Sequence, residues 1–116
     1  MADTCYCDYD EAPTIYEAER VRARLSHKCY ECGAAISPGE QYERARMLYE
    51  GRWYVNKTCA RCLSVRDYID AHAPCFCWLH GSMLEDARNT VDTYGHHSAG
   101  FYIGAMKRIL RAERGI

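Results

Sequence analysis

Cys29-Tyr30-Glu31-Cys32-Gly33 and Cys59-Ala60-Arg61-Cys62 are the stretches that decide how this chain folds. They are two CxxC pairs separated by the 26 residues 33–58. A CxxC turn presents two thiolates to one point, and two such turns close the tetrahedral set of soft ligands that zinc prefers. Gly33, directly after the second cysteine, lets the backbone turn tightly and aim amide N–H groups at sulfur. The second pair sits where a helix is expected to begin, and the positive end of a helix favours thiolates. Knuckle, hairpin, then a helix bearing the second pair is the order of a treble-clef zinc finger. The expected cofactor is therefore a structural Zn2+ held by Cys29, Cys32, Cys59 and Cys62, with no coordination position left open.

Working outward, Ser37-Pro38-Gly39-Glu40 has Pro and Gly at the two central positions of a type II turn. Gln41–Leu48 and Arg52–Lys57 read as strands rich in Tyr, Trp, Val and Met, with Glu50-Gly51 at the turn between them. Upstream, Thr14 and Glu17 have the spacing of a helix-capping pair. The alternation from Arg20 to Leu25 instead fits a strand with one basic and one apolar face, and a strand from residue 20 is the preferred reading. Downstream, a helix is expected over Ala60–Ala71, ended by Pro74. Ser82 and Glu85 form a capping box for a second helix with Leu84, Ala87, Val91 and Tyr94 on one face, up to Gly95. Ser98 caps a third, whose stripe is Tyr102, Ala105, Met106, Ile109 and Leu110, closed by Gly115.

The chain has 116 residues, and Leu, Ile, Val and Phe together number only 18. That is below the fifth of the sequence that marks an ordinary aliphatic core. The 10 tyrosines compensate in part, bringing large area with a hydroxyl that needs a partner. Structural zinc, at roughly 10–16 kcal/mol of apparent binding energy, is comparable to the whole stability of a typical domain. The N-terminal stretch has neither the basic region nor the apolar run of a secretory signal, and no apolar run reaches the roughly 20 residues of a membrane span. A reducing cytoplasm is expected, where paired cysteines read as metal ligands before disulfides.

Four further cysteines form two CxC pairs, Cys5-Tyr6-Cys7 and Cys75-Phe76-Cys77. In extended chain both side chains of a CxC pair point the same way. Brought together, the two pairs make a second four-cysteine zinc site that clasps the acidic leader to the C-terminal part. Redox pairing and simple packing are the other readings of these residues.

The histidines are weaker candidates. His27 and His72 flank the finger, either replacing a ligand or packing beside it, and His96-His97 precede the last helix. Treble clefs host some metal-dependent nucleases, but those carry histidines on the hairpin, and 41–57 has none. The expectation is a protein that is not an enzyme, with no small-molecule substrate.

The formal net charge is −1. Each zinc bound by four thiolates subtracts about two charges, which weighs against a general nucleic-acid binder. Local stripes remain: Arg20, Arg22 and Arg24 on the expected strand, and Lys107, Arg108 and Arg111 on the last helix, can follow phosphates. Trp53, Tyr54 and Trp78 are the amphipathic aromatics favoured at protein interfaces.

The runs His27–Tyr42 and Lys57–Asp67 resemble small zinc-finger proteins encoded by tailed bacteriophages and prophages. That pattern reads HxCxECGxxIxPGExY, then a hairpin with a Trp, then KTCxxCxxxRD, with an early CxC and a later CxC followed by LxED. The resemblance spans residue 5 to about residue 86, leaving 90–116 outside it. It implies a zinc-binding phage accessory protein of the bacterial cytoplasm and no particular activity. The chain is thus expected to be one α+β domain: leader and Arg-rich strand (1–28), treble-clef finger (29–73), and CxC segment with C-terminal helices (74–116). Its expected work is to bind and modulate a host or phage protein, in host takeover or anti-defence; the alternative is a nucleic-acid-binding regulatory factor.

Overall fold

The computed structural model describes Cys7 and residues 13–115. Strand β1 (Ile15–Arg22) is followed by two short strands, β2 (His27–Lys28) and β3 (Ala35–Ile36), which pair with each other and hold the first CxxC in their loop. Strands β4 (Gln41–Tyr49) and β5 (Arg52–Cys59) complete an antiparallel sheet of order β1-β4-β5. Helices α1 (Ala60–His72), α2 (Met83–Tyr94) and α3 (Ala99–Arg114) follow, the last two joined by a 3₁₀ turn at Gly95–His97. The architecture is small α+β, and no described helix is long and apolar enough to cross a membrane.

Turn chemistry sets the sheet. Tyr49 faces Arg52 across the hairpin, so Glu50-Gly51 form a two-residue loop with φ of 49° and 77°. Positive φ at both positions gives the type I′ geometry whose twist matches that of paired strands. At the Pro38-Gly39 turn, Gly39 has φ +91° and the Glu40 N–H donates to the Ser37 carbonyl at 3.0 Å.

Beta 1 differs from expectation at both ends. It begins at Ile15 and stops at Arg22, because β4 offers partners along residues 15–22, from Ile15 opposite Leu48 to Arg22 opposite Gln41. Glu17 therefore lies in the strand and Thr14 just before it, and neither caps a helix; the Thr14 N–H donates to the Leu48 carbonyl at 2.8 Å.

The helices pack mainly through small residues. Ala87, Ala105, Ala112, Val65, Ile69, Val91 and Ile109 are almost wholly buried. Alpha 1 meets α3 where the Tyr68 ring lies over Gly104; a Cβ there would collide with the phenol. Ser98 caps α3 by accepting from the Phe101 N–H at 3.2 Å, and Gly115 closes it with φ 72°. The buried stripe of α3 is Phe101, Ala105, Ile109 and Ala112, about one position round from the expected one, leaving Tyr102 48% and Leu110 37% exposed. Packing against α1 selects Phe101, whose ring stacks on Tyr68 at 6.1 Å.

Ser82 precedes α2, but its side chain makes no capping bond. Glu31, in the first CxxC turn, caps that end instead. Its carboxylate accepts from the Gly81 N–H at 2.7 Å and the Met83 N–H at 3.1 Å. A charged acceptor satisfies helix-terminal donors better than a hydroxyl.

Candidate metal centre

The β2–β3 loop brings Cys29 and Cys32 to the junction of β5 and α1, where Cys59 ends the strand and Cys62 lies in the first turn of the helix. Their four sulfurs lie within 4.8 Å of one another. Cys29 Sγ is 3.8 Å from Cys62 Sγ, and Cys32 Sγ is 3.7 Å from Cys59 Sγ. A tetrahedral ion with metal–sulfur bonds of about 2.3 Å places its sulfurs about 3.8 Å apart. The donor set therefore fits a metal ion.

Local backbone holds the set in place. The Gly33 N–H donates to the Cys29 carbonyl at 2.9 Å, and Gly33 takes φ 78°, a left-handed conformation that suits glycine. The Tyr30 N–H donates to the Lys57 carbonyl at 2.7 Å, fastening the knuckle to β5. The Cys59 N–H donates to Cys29 Sγ at 3.3 Å, the amide-to-sulfur contact that stabilises a thiolate. The thiols also constrain each other. Hydrogen bonding from Cys59, then Cys62, holds the Cys29 thiol well below the usual range. The contact with Cys29 pushes Cys59 up to about 11, and pushes Cys62 higher still. A divalent ion bound by the four sulfurs would displace the thiol protons.

His27 and His72 are not ligands of this centre: His27 packs on the Tyr42 ring at 5.2 Å and His72 on the Tyr68 ring at 4.3 Å.

The second cysteine group is partly assembled. Cys7, Cys75 and Cys77 have sulfurs within 4.8 Å of one another, with Cys75 Sγ 3.7 Å from Cys77 Sγ. Cys7 and the 75–77 segment therefore meet as expected. Cys7 is joined to Cys77 by a disulfide, with Cα atoms 5.4 Å apart, so the link is drawn through sulfur where a shared metal was expected. Cys5 lies outside the described residues.

The expected arginine stripe on the first strand is largely engaged within the fold. Arg20 makes a two-pronged ion pair with Asp67 of α1, both contacts at 2.8 Å. Arg22 donates to the Gly39 carbonyl at 3.0 Å, and Arg24 lies beyond the strand, exposed. Lys107, Arg108 and Arg111 do converge, lining a cleft between α1 and α3 together with Arg61.

The aromatic candidates also separate. Trp53 is 50% and Tyr54 44% exposed, on opposite faces of the β4–β5 hairpin. Trp78 is packed against the core. The Arg66 guanidinium lies over its ring at 4.6 Å and the His80 ring meets it edge-on at 4.9 Å, so it is only partly exposed.

Three groups escaped the sequence reading. Arg66 and Glu43 form a buried ion pair joining α1 to β4. His80 bonds the Tyr16 hydroxyl at 2.8 Å, and burial depresses its pKa. Glu31 caps α2 across about fifty residues of sequence. Acids and bases this far apart leave no periodic signal; only the position of Glu31 inside the knuckle could have flagged it.

Comparison with known proteins returned no matching family model, no matching curated protein and no matching solved structure.

Proposed function

We propose that this is a zinc-stabilised, non-enzymatic phage accessory protein of the treble-clef type, which binds and modulates a host or phage protein in the bacterial cytoplasm. Zinc is the metal that suits four thiolates in a closed tetrahedron, with no position left for water or substrate. A second zinc, shared by Cys5, Cys7, Cys75 and Cys77, replaces the disulfide when those thiols are reduced.

The observation that carries the binding reading is the hairpin. Ile15, Leu48 and Trp53 stand in one cross-strand row, and Tyr16, Met47 and Tyr54 in the row on the other face. Ile15, Tyr16, Trp53, Tyr54 and Val55 are each between 39% and 50% exposed. Apolar surface gathered at one end of a sheet is the usual mark of a protein interface. The Arg46 guanidinium lies 4.5 Å from the Trp53 ring centroid and pairs with Glu17 at 2.9 Å, so a polar ion pair borders that surface.

The test is affinity capture from nuclease-treated bacterial lysate with wild-type protein and with a Trp53→Ser/Tyr54→Ser variant of equal zinc content. A defined partner retained by the first and lost by the second supports the reading. Identical recovery by both would remove the hairpin as the interface.

A further inference from the structure

The cleft between α1 and α3 has a volume of about 350 Å³ and is lined by Ala60, Arg61, Ser64, Lys107, Arg108 and Arg111. Four of these six residues are cations and none is an acid. Helical spacing explains the convergence: Lys107 and Arg111 are one turn apart on α3, and Arg61 and Ser64 one turn apart on α1.

Ion pairing does not account for them. Among the described residues, no salt bridge involves Arg61, Lys107, Arg108 or Arg111, although four other Arg–carboxylate pairs are formed. Arg108 is held in place by its bond to the Gly104 carbonyl at 2.9 Å and by the Tyr68 ring at 4.1 Å. Arg61 Nε is buried and has no hydrogen-bond partner. A buried charged donor without an acceptor is costly, so it marks a place where an acceptor belongs. Ser64 adds a hydroxyl. Alpha 1 has no acid in its first turn and no side-chain cap, so the positive end of its dipole adds to the cleft. The neighbouring four-thiolate zinc centre would bring about two negative charges, which leaves the four cations in excess.

We infer that this cleft is a binding site for phosphate groups. Guanidinium forks match phosphate oxygens two at a time, and a fixed arginine flanked by the exposed Lys107 and Arg111 suits an anion with several oxygens. The cleft is open and continues, through the shared residues Ala60, Ser64 and Arg108, into a second of about 510 Å³ that reaches Gln41, His72 and the Arg20–Asp67 ion pair. The cationic first cleft holds the phosphates, and the extension leaves room for the rest of the ligand. The phosphates can come from a nucleic-acid strand or from a free nucleotide. The site lies apart from the hairpin and does not depend on its role.

The test uses the zinc-loaded full chain and fluorescence anisotropy with a labelled 20-nucleotide single-stranded DNA. Four cations on phosphates give a log–log salt slope near −2.8, or an affinity loss of about fifty-fold between 50 and 200 mM salt. The Lys107→Gln/Arg111→Gln variant, with both substitutions exposed, halves that slope, to a loss of about sevenfold. An Arg24→Gln/Arg52→Gln control, equal in charge and outside the cleft, leaves the slope unchanged. A second arm titrates ATP and, for comparison, polyglutamate. Strand binding not displaced by millimolar ATP assigns the site to a nucleic-acid backbone; ATP binding lost in the cleft variant, with no strand binding, assigns it to a nucleotide. The inference is overturned if neither phosphate ligand binds, if polyglutamate binds equally well, or if cleft and control variants behave alike.

Discussion

Replacing Arg66 by Met tests how the sheet, the finger helix and the 75–80 segment are held together. Its side chain and that of Glu43 are each 7% exposed, and Arg66 also covers the Trp78 ring at 4.6 Å. Arg66→Met strands the Glu43 carboxylate in the interior, a loss of about 3–5 kcal/mol for a broken buried pair. Removal of the guanidinium from the Trp78 face adds about 1 kcal/mol. Glu43→Met strands the guanidinium but keeps the ring contact, and is milder by that amount. In the Glu43→Met/Arg66→Met double variant no charge is left behind, and stability returns to within about 1 kcal/mol of wild type. Urea denaturation of zinc-loaded protein, followed by circular dichroism, gives all four corners of the cycle, with a coupling energy of at least about 3 kcal/mol. The reasoning fails if Arg66→Met costs less than about 1 kcal/mol, or if the single losses simply add up in the double variant.

Other substitutions probe single links. Glu31→Ala leaves the Gly81 and Met83 N–H groups unpaired and lowers stability by about 2–4 kcal/mol in the same assay. Glu31→Gln is milder, because burial already pushes the Glu31 carboxyl pKa up and a neutral amide relieves that cost. Gly104→Ala drives a methyl into Tyr68 and costs about 1–2 kcal/mol by thermal melting, the gain in helix propensity offsetting part of the overpacking. The Arg20 bond holds the Asp67 carboxyl below the usual carboxylate range. A depressed folded pKa stabilises above the unfolded value near 3.9 and is lost as pH falls through the folded one. The pair is half-exposed, so Asp67→Asn costs at most about 1 kcal/mol at pH 7. An NMR titration of Asp67 should show its midpoint rise in Arg20→Gln.

What could be read from the sequence was what short-range chemistry dictates. Two CxxC pairs require a common ligand point, Glu50-Gly51 a tight hairpin turn, and Ser98 and Gly115 the ends of α3. The misreadings share one cause: the deciding partner lies far away in sequence. Arg20 turns from a phosphate contact into an internal tie because Asp67 stands opposite it, 47 residues on. Ser82 loses its cap to Glu31. Trp78 is covered by Arg66. Arg61 carried no reading of its own in the sequence, and only the approach of α3 makes it part of a cationic cleft. The rotated stripe of α3 follows from Tyr68 reaching Gly104, a contact that periodicity within one helix cannot reveal.

Metal content measured together with unfolding bears most directly on the account that thiolate-bound metal organises this chain. Protein purified under reducing conditions should carry zinc by mass spectrometry, at least one ion per chain, and lose its cooperative melting transition when a strong chelator is added. Metal-free protein that melts cooperatively, at a temperature unchanged by chelator, would contradict it.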